Sequence, residues 1–393
     1  MVDSATQDRL FSFGYPPTDI RLRRVGIDSS LPYSVALNKR HNCGLQSKEY
    51  VEKSSSNEKL HQGLKDAIDF QENICEKEKK KNNKLLAVYA YNINWPRCVC
   101  YLSQTDGSVI ICEQERCRVI LFTSQLMFRS TCGGTRGNGL YEFDSPWTVA
   151  EFIENSTSNI LVADTNNRRI QCFTIGYRGK FIYKYTLTTK DKPLYLATTR
   201  HWLAVSCENG FLKTFFISER EEILNLNLNQ LFSIKKGKSI AYCVCMDPND
   251  HSIFVSNPLG TKSLIHQITI DGKYIRSIKL FNQPFLHIHS LNYDQQNRQF
   301  LVIDSINSVI YSIKPDIQEN NVEILFKPAD HLNHPQSLAI TNEGHLIVTE
   351  CSVLTQHAIK IFRYLSCSCH SRAATPSVKT SDITSVKSIL LQY

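Results

Sequence analysis

From Trp95 onward, apolar and polar positions alternate in short blocks that return in the same order. One set of blocks is half-apolar: CVCYL, TVAEF, YLATT, CVCMD, SLNYD and SLAIT. Each is followed by a nearly unbroken apolar run: SVIICE, NILVAD, WLAVSC, SIFVSN, QFLVID and HLIVTE. A third run then follows: RVILF, RIQCF, LKTFF, LIHQI, VIYSI and IKIFR. Runs of this length bounded by polar turns predict β-strands, and the unbroken ones predict strands buried on both faces. The clearest unit is Asn159–Phe173, NILVADTNNRRIQCF, where a buried strand (Ile160–Ala163), a polar turn (Asp164–Asn167) and a second strand (Ile170–Phe173) make a hairpin. WTVAEFI before it and KFIYKYTL after it complete four consecutive antiparallel strands.

The blocks repeat at a constant spacing. Taking Pro96 and Pro146 as anchors, equivalent positions fall at Pro193, Ala241, Ile288 and Pro335, at intervals of 50, 47, 48, 47 and 47 residues. Six four-stranded units at this period predict six blades of a β-propeller, an all-β fold. The sixth unit lacks a fourth strand, because its expected place falls in CSCHSRAAT. The same offset counted back from Pro96 lands on KLLAVYAY, so residues 84–91 are expected to close the ring as the outer strand of the last blade. Closure removes an unpaired sheet edge.

The expected domains are therefore 84–365 for the propeller, a mostly disordered leader over 1–83 and a flexible tail over 366–393. Weak helical periodicity at Lys59–Glu78 predicts one short helix within the leader. Apolar content of 42% and aromatic content of 10% supply a core, and the net charge of +8 is spread rather than concentrated in one arm. No basic stretch followed by an apolar one opens the chain, and no apolar run is long enough to span a bilayer. A reducing, cytoplasmic setting is expected, with the 14 cysteines mostly free thiols.

Residues Gly137, Gly139, Phe143, Pro146, Val149, Ala150, Ile160, Val162, Ala163, Asp164, Thr165, Asn167, Arg169, Ile170, Gln171 and Phe173 resemble the NHL repeat. The other units match more loosely. The first has Arg118 at the motif arginine but Glu113 for the aspartate. The fifth has Asp304 and Asn307 but Val309 for the arginine. The third, fourth and sixth keep mainly the apolar pattern, and the sixth carries an insertion around Ser352–His357. Arg118, Asp164, Asn167, Arg169 and Asp304 are expected to be structural. The whole resembles the propeller of the tripartite-motif NHL group, which implies binding of substrate proteins or RNA and association with ubiquitination. Cys43 and Cys75 are the sole cysteines before Lys84, too few for a RING or a B-box, so ligase activity is expected by association alone.

Catalytic constellations do not emerge. Cys98/Cys100 and Cys243/Cys245 sit at equivalent places on inner strands and are expected to pack. Cys112 and Cys117 flank a hairpin turn, and Cys367, Cys369 and His370 lack zinc-site spacing. His287 and His289 are expected at the axial channel, the basis of a remote metal-dependent lyase or hydrolase reading. GGTRGNG lies between strands and is not a phosphate loop. No cofactor, metal, membrane or small-molecule substrate is expected.

The better candidate is a face. In such a blade the turn between strands two and three lies at the same end as the links between blades. That link face should gather Arg116, Arg136, Tyr141, Trp147, Asn166, Arg168, Lys190, Lys192, Lys235, Lys236 and Lys238, with His331 and His334. Acidic Glu115, Glu142, Asp144, Asp191 and Asp330 share it, and this mixed field suits a protein partner. RNA is the alternative, with cations for phosphates and aromatics for bases.

Overall fold

A computed structural model of the chain describes residues 84–90, 92–232, 242–256, 264–280, 288–316, 321–352 and 357–365. The expected leader and its helix, the tail with Cys367, Cys369 and His370, His287, Ala241 and the trio Lys235, Lys236 and Lys238 lie outside these residues.

The strands run in chain order from β1 (Leu85–Tyr89) through six four-stranded antiparallel sheets. The first blade is β2 (Pro96–Tyr101), β3 (Val109–Glu113), β4 (Arg118–Phe122) and β5 (Phe128–Gly133). The second is β6 (Pro146–Glu154), β7 (Thr157–Asp164), β8 (Arg169–Ile175) and β9 (Phe181–Thr188). The third is β10 (Pro193–Thr198), β11 (Trp202–Cys207), β12 (Phe211–Phe216) and β13 (Glu221–Asn227), after which a single helical turn, Leu228–Leu231, is capped by the Asn227 side chain. The fourth is β14 (Cys243–Met246), β15 (Ile253–Ser256), β16 (Leu264–Ile268) and β17 (Tyr274–Lys279). The fifth is β18 (Ile288–Asp294), β19 (Gln299–Asp304), β20 (Val309–Ile313) and β21 (Val322–Phe326). The sixth is β22 (Pro335–Ile340), β23 (His345–Glu350) and β24 (Ala358–Arg363), completed by β1. The inner strands β2, β6, β10, β14, β18 and β22 neighbour one another in a closed cycle. The molecule is a six-bladed β-propeller.

The core is divided. Six buried apolar clusters each lie between two adjacent blades, from Cys112, Leu121, Ile160 and Phe173 between the first and second to Ile111, Phe122, Ile347 and Ile361 between the sixth and first. Second and third strands therefore contact a neighbour on both faces. Every residue of β3 and β19 is buried, which is why these segments read as continuous apolar runs rather than alternating ones. Outer strands have solvent on one side, and β5 and β13 are largely exposed.

Closure joins β1 to β24 through Leu85↔Phe362, Ala87↔Ile361, Val88↔Lys360 and Tyr89↔Ile359. Arg363 N–H donates to the Lys84 carbonyl at 2.7 Å, continuing the ladder. Ala87 and Tyr89 enter the cluster between the sixth and first blades.

Inner strands share an irregularity near their beginnings. Register shifts occur between Pro96 and Cys98, Pro146 and Val149, Pro193 and Tyr195, Ile288 and Ser290, and Pro335 and Ser337. A bulge inserts unpaired residues and re-aims their side chains. The bulged residues here include Arg97, Trp147, Leu194, His289 and Gln336, all at the end of the channel where the inter-blade links arrive.

Candidate functional site

In the second blade, strand pairing brings the turn and the links to one end. Pro146 opposes Asp164, Asp164 opposes Arg169 and Arg169 opposes Thr188, so the β7–β8 turn and both links of this blade end together. Beneath it lies a polar clamp. Asp164 is wholly buried and accepts from Arg169 Nε at 2.7 Å, Asn167 Nδ2 at 2.9 Å and the Asp144 N–H at 2.7 Å. Arg169 also donates to the carbonyls of Asn138, Gly139 and Glu142, tying the glycine-rich link to the blade. Burial raises the Asp164 carboxyl above its ordinary value, against the lowering effect of the Asp144 N–H, Asn167 and Arg169.

The clamp recurs in other blades. Glu113 pairs with Arg118 and accepts from the Asn94 N–H at 2.5 Å. Asp304 accepts from Asn307 Nδ2 at 2.7 Å. In the sixth blade Glu350 accepts from the Asn333 N–H at 2.9 Å and pairs with Lys360 at 2.6 Å. That pair was not read from the sequence. In the first two blades the cation follows the carboxylate by five residues (113 to 118, 164 to 169) and stands opposite it, but here it follows by ten (350 to 360), because the insertion moves the opposing residue to Ala358 and Lys360 lies two positions further along β24. The third blade has Cys207 in place of the acid, and its Lys213, fully buried, sits 3.4 Å from both Asp191 and Glu222.

The candidate cations divide into paired and unpaired groups. Arg116 donates to the Asn92 carbonyl and side chain, Arg136 lies 3.6 Å from Asp144, and Lys192 lies 3.5 Å from Glu208. Asn166 donates to Asp144 at 3.1 Å. Arg168 and Lys190 are exposed, and neither side chain makes a hydrogen bond or ion pair among the described residues. They are neighbours, since the Thr189 N–H donates to the Arg168 carbonyl at 3.0 Å. Both are held in the left-handed region, at φ 52° and 60°. Glycine occupies the same turn position in the third blade, where Gly210 has φ 76°.

The aromatics correct the expected picture. Trp147 does not present a ring on the outer rim. It is 5% exposed at the channel mouth, edge-on to Tyr195, with the Arg97 guanidinium 3.8 Å above its ring. The bulge in β6 turns it inward. Tyr141 is exposed, but its hydroxyl accepts from the Tyr183 N–H, which places it over the outer strand of the second blade.

At the axis the channel mouth encloses a cavity of about 80 Å³. Arg97 Nη1 donates to Gln336 Oε1 at 2.9 Å, while Arg97 Nε is buried without an acceptor. His289 Nδ1 lies 3.1 Å from the Gln336 carbonyl, so that nitrogen carries the proton. Desolvation first, and the Arg97 charge second, push His289 down to about 3. Cys98 also lines this cavity, while Cys243 packs between the fourth and fifth blades; burial raises both thiols, Cys243 to about 12. Among the described residues no three His, Cys, Asp or Glu side chains are grouped as a metal site.

No family model matches the chain, and no curated protein matches it in sequence. Solved structures do. A structural-genomics protein of unknown function from Bacteroides thetaiotaomicron is similar at TM-score 0.53 and 12% identity over 71% of each chain. A virginiamycin B lyase from Staphylococcus aureus gives TM-score 0.44 and 16% identity over 67% of this chain and 79% of that one. A catalytically inactive form of that lyase with quinupristin gives 0.46 and 14%, over 68% and 80%. At such identities the likeness to the Bacteroides protein bears on fold alone, and the lyase likenesses are too slight to carry an argument.

Proposed function

We propose that the chain is a non-catalytic, NHL-type recognition propeller that binds a protein partner through its link face, as a substrate-selecting or scaffold module of the kind the tripartite-motif resemblance implies. The observation that carries this is the corner formed by Arg168 and Lys190. Two like charges stand side by side without counter-ions among the described residues, on backbone that costs an L-residue roughly 1–2 kcal/mol each. Strain of this sort collects at functional positions. Around the corner, cations alternate with the carboxylates they pair with, a pattern that suits a mixed-charge protein surface. The desolvated thiols of the inner strands support the non-catalytic reading, because nucleophilic cysteines need lowered values.

The test uses the full chain in quantitative partner capture. Arg168→Glu with Lys190→Glu should abolish capture while leaving the melting temperature unchanged. Arg168→Gly should weaken capture while holding or slightly raising that temperature, since glycine tolerates the turn. Capture that survives both changes refutes the reading. Single-stranded RNA is assayed alongside, at about 50 and about 200 mM salt; tight RNA binding that falls by orders of magnitude over this range would move the function to RNA.

A further inference from the structure

The cavity at the channel mouth is a built site whose purpose the fold does not supply. Arg97 is one of the bulged inner-strand residues, so its aim at the axis follows from the backbone rather than from a free rotamer. Its guanidinium is fixed on one face by Trp147 and at one nitrogen by Gln336. Gln336 is itself held, with Nε2 donating to Ser305 Oγ at 2.9 Å and to the His334 carbonyl at 3.1 Å.

Among the described residues the remaining donors of Arg97 are not used. The side chain carries five N–H groups, its Nε is buried without an acceptor, and no carboxylate among the described residues pairs with it. Other conspicuous cations of the molecule are treated differently. Arg118, Arg169, Lys213 and Lys360 each face a carboxylate. A half-buried guanidinium with a fixed orientation and no counter-ion among the described residues is poised for an anion from outside.

Charge and size select the anion. His289 is neutral near pH 7 and its proton points at Gln336, so Arg97 supplies the cavity's one positive charge. A monoanion matches it, whereas a phosphate dianion would enter half-compensated. The cavity's roughly 80 Å³ is room for several waters, at about 10–15 Å³ of such volume apiece, and so for a small planar group at the end of a chain.

We propose that the channel mouth is a carboxylate receptor, in which Arg97 takes a carboxylate of the partner protein in a fork beside Trp147, Gln336 and His289. The proposal rests on the protein-recognition reading and adds the chemistry of the contact. The carboxylate comes either from an acidic side chain or from a chain terminus.

Three short peptides of one neutral sequence separate these. One carries an internal Glu and an amidated end, the second a free terminal carboxylate, the third neither. Each is titrated into the full chain by calorimetry and by tryptophan emission, since Trp147 is one of three tryptophans and lies against the guanidinium. One carboxylate peptide should saturate the protein, shift the emission and bind at least about tenfold more tightly than the neutral peptide. Arg97→Gln should erase that advantage and keep the melting temperature. Arg97→Lys, which keeps the charge but not the fork, should retain part of it and serves if the glutamine variant does not fold. Equal binding of all three peptides, absence of saturation, or an advantage that survives Arg97→Gln overturns the proposal. Those results leave the Arg168 and Lys190 corner untouched, so the recognition reading stands or falls separately.

Discussion

Asp164 shows how one residue position sets both shape and sensitivity. Its carboxylate is fully buried, and it is stable there because Arg169, Asn167 and a backbone N–H converge on it. Removing one partner of a buried pair leaves an uncompensated charge, at a cost of about 3–5 kcal/mol. Arg169→Ala should therefore lower the melting temperature sharply. Arg169→Ala combined with Asp164→Asn should recover part of the loss, because the amide needs no cation. Equal melting temperatures for the single and double variants would show that Arg169 acts through its carbonyl contacts alone. The same residue-level logic explains what the sequence could not reveal about Trp147. Its side chain is apolar enough for a core and polar enough for a rim, and the bulge that decides between them leaves no mark in the pattern of apolar positions.

At the level of elements, legibility followed burial. Second and third strands were readable because they contact blades on both faces, so the code is a plain apolar run. The closing strand was readable by offset, and KLLAVYAY holds β1. The pairing of Glu350 with Lys360 was not, since it depends on two strands brought into register across an insertion. Nor was the division of link-face cations into paired and unpaired, which is a matter of angstroms between loops. Closure itself can be tested at this scale. Ala87 is 3% exposed and faces the cluster between the sixth and first blades. Ala87→Asp places a charge there without a partner, which disfavours β1 docking by several kcal/mol. The expected result is a lower melting temperature together with concentration-dependent association through the freed edge of β24, read by size-exclusion chromatography. A variant that melts lower yet stays monomeric at all concentrations would mean that the edge is harmless.

The molecule as a whole should be acid-sensitive on one side of its ring. Desolvation lowers His266 in the fourth blade to about 4 and His289 in the fifth to about 3, and lowers His345 in the sixth. The unfolded chain protonates these groups near pH 6.5, so between there and their folded values it binds more protons than the native state. Stability is then full above the unfolded value and is lost as pH falls. Each of the two strongly shifted histidines should contribute roughly 1 kcal/mol of loss between about pH 7 and pH 5.5. Denaturant unfolding at those two values checks this, with His266→Gln and His289→Gln each expected to flatten the difference. An unchanged difference in both variants would place the acid sensitivity elsewhere.

Pairing between β1 and β24 also governs when the protein can become itself. Val88 and Lys360 are partners across 272 positions of chain (360 − 88). At about 5–20 residues per second of synthesis, roughly 15–55 s separate the emergence of the first from that of the second. Throughout that interval five blades can assemble in succession while β1, the outer strand of the sixth, has no β24 to receive it. The earliest propeller strand to leave the ribosome is thus the last to find its place, and an interrupted translation yields an unclosed ring rather than a smaller propeller.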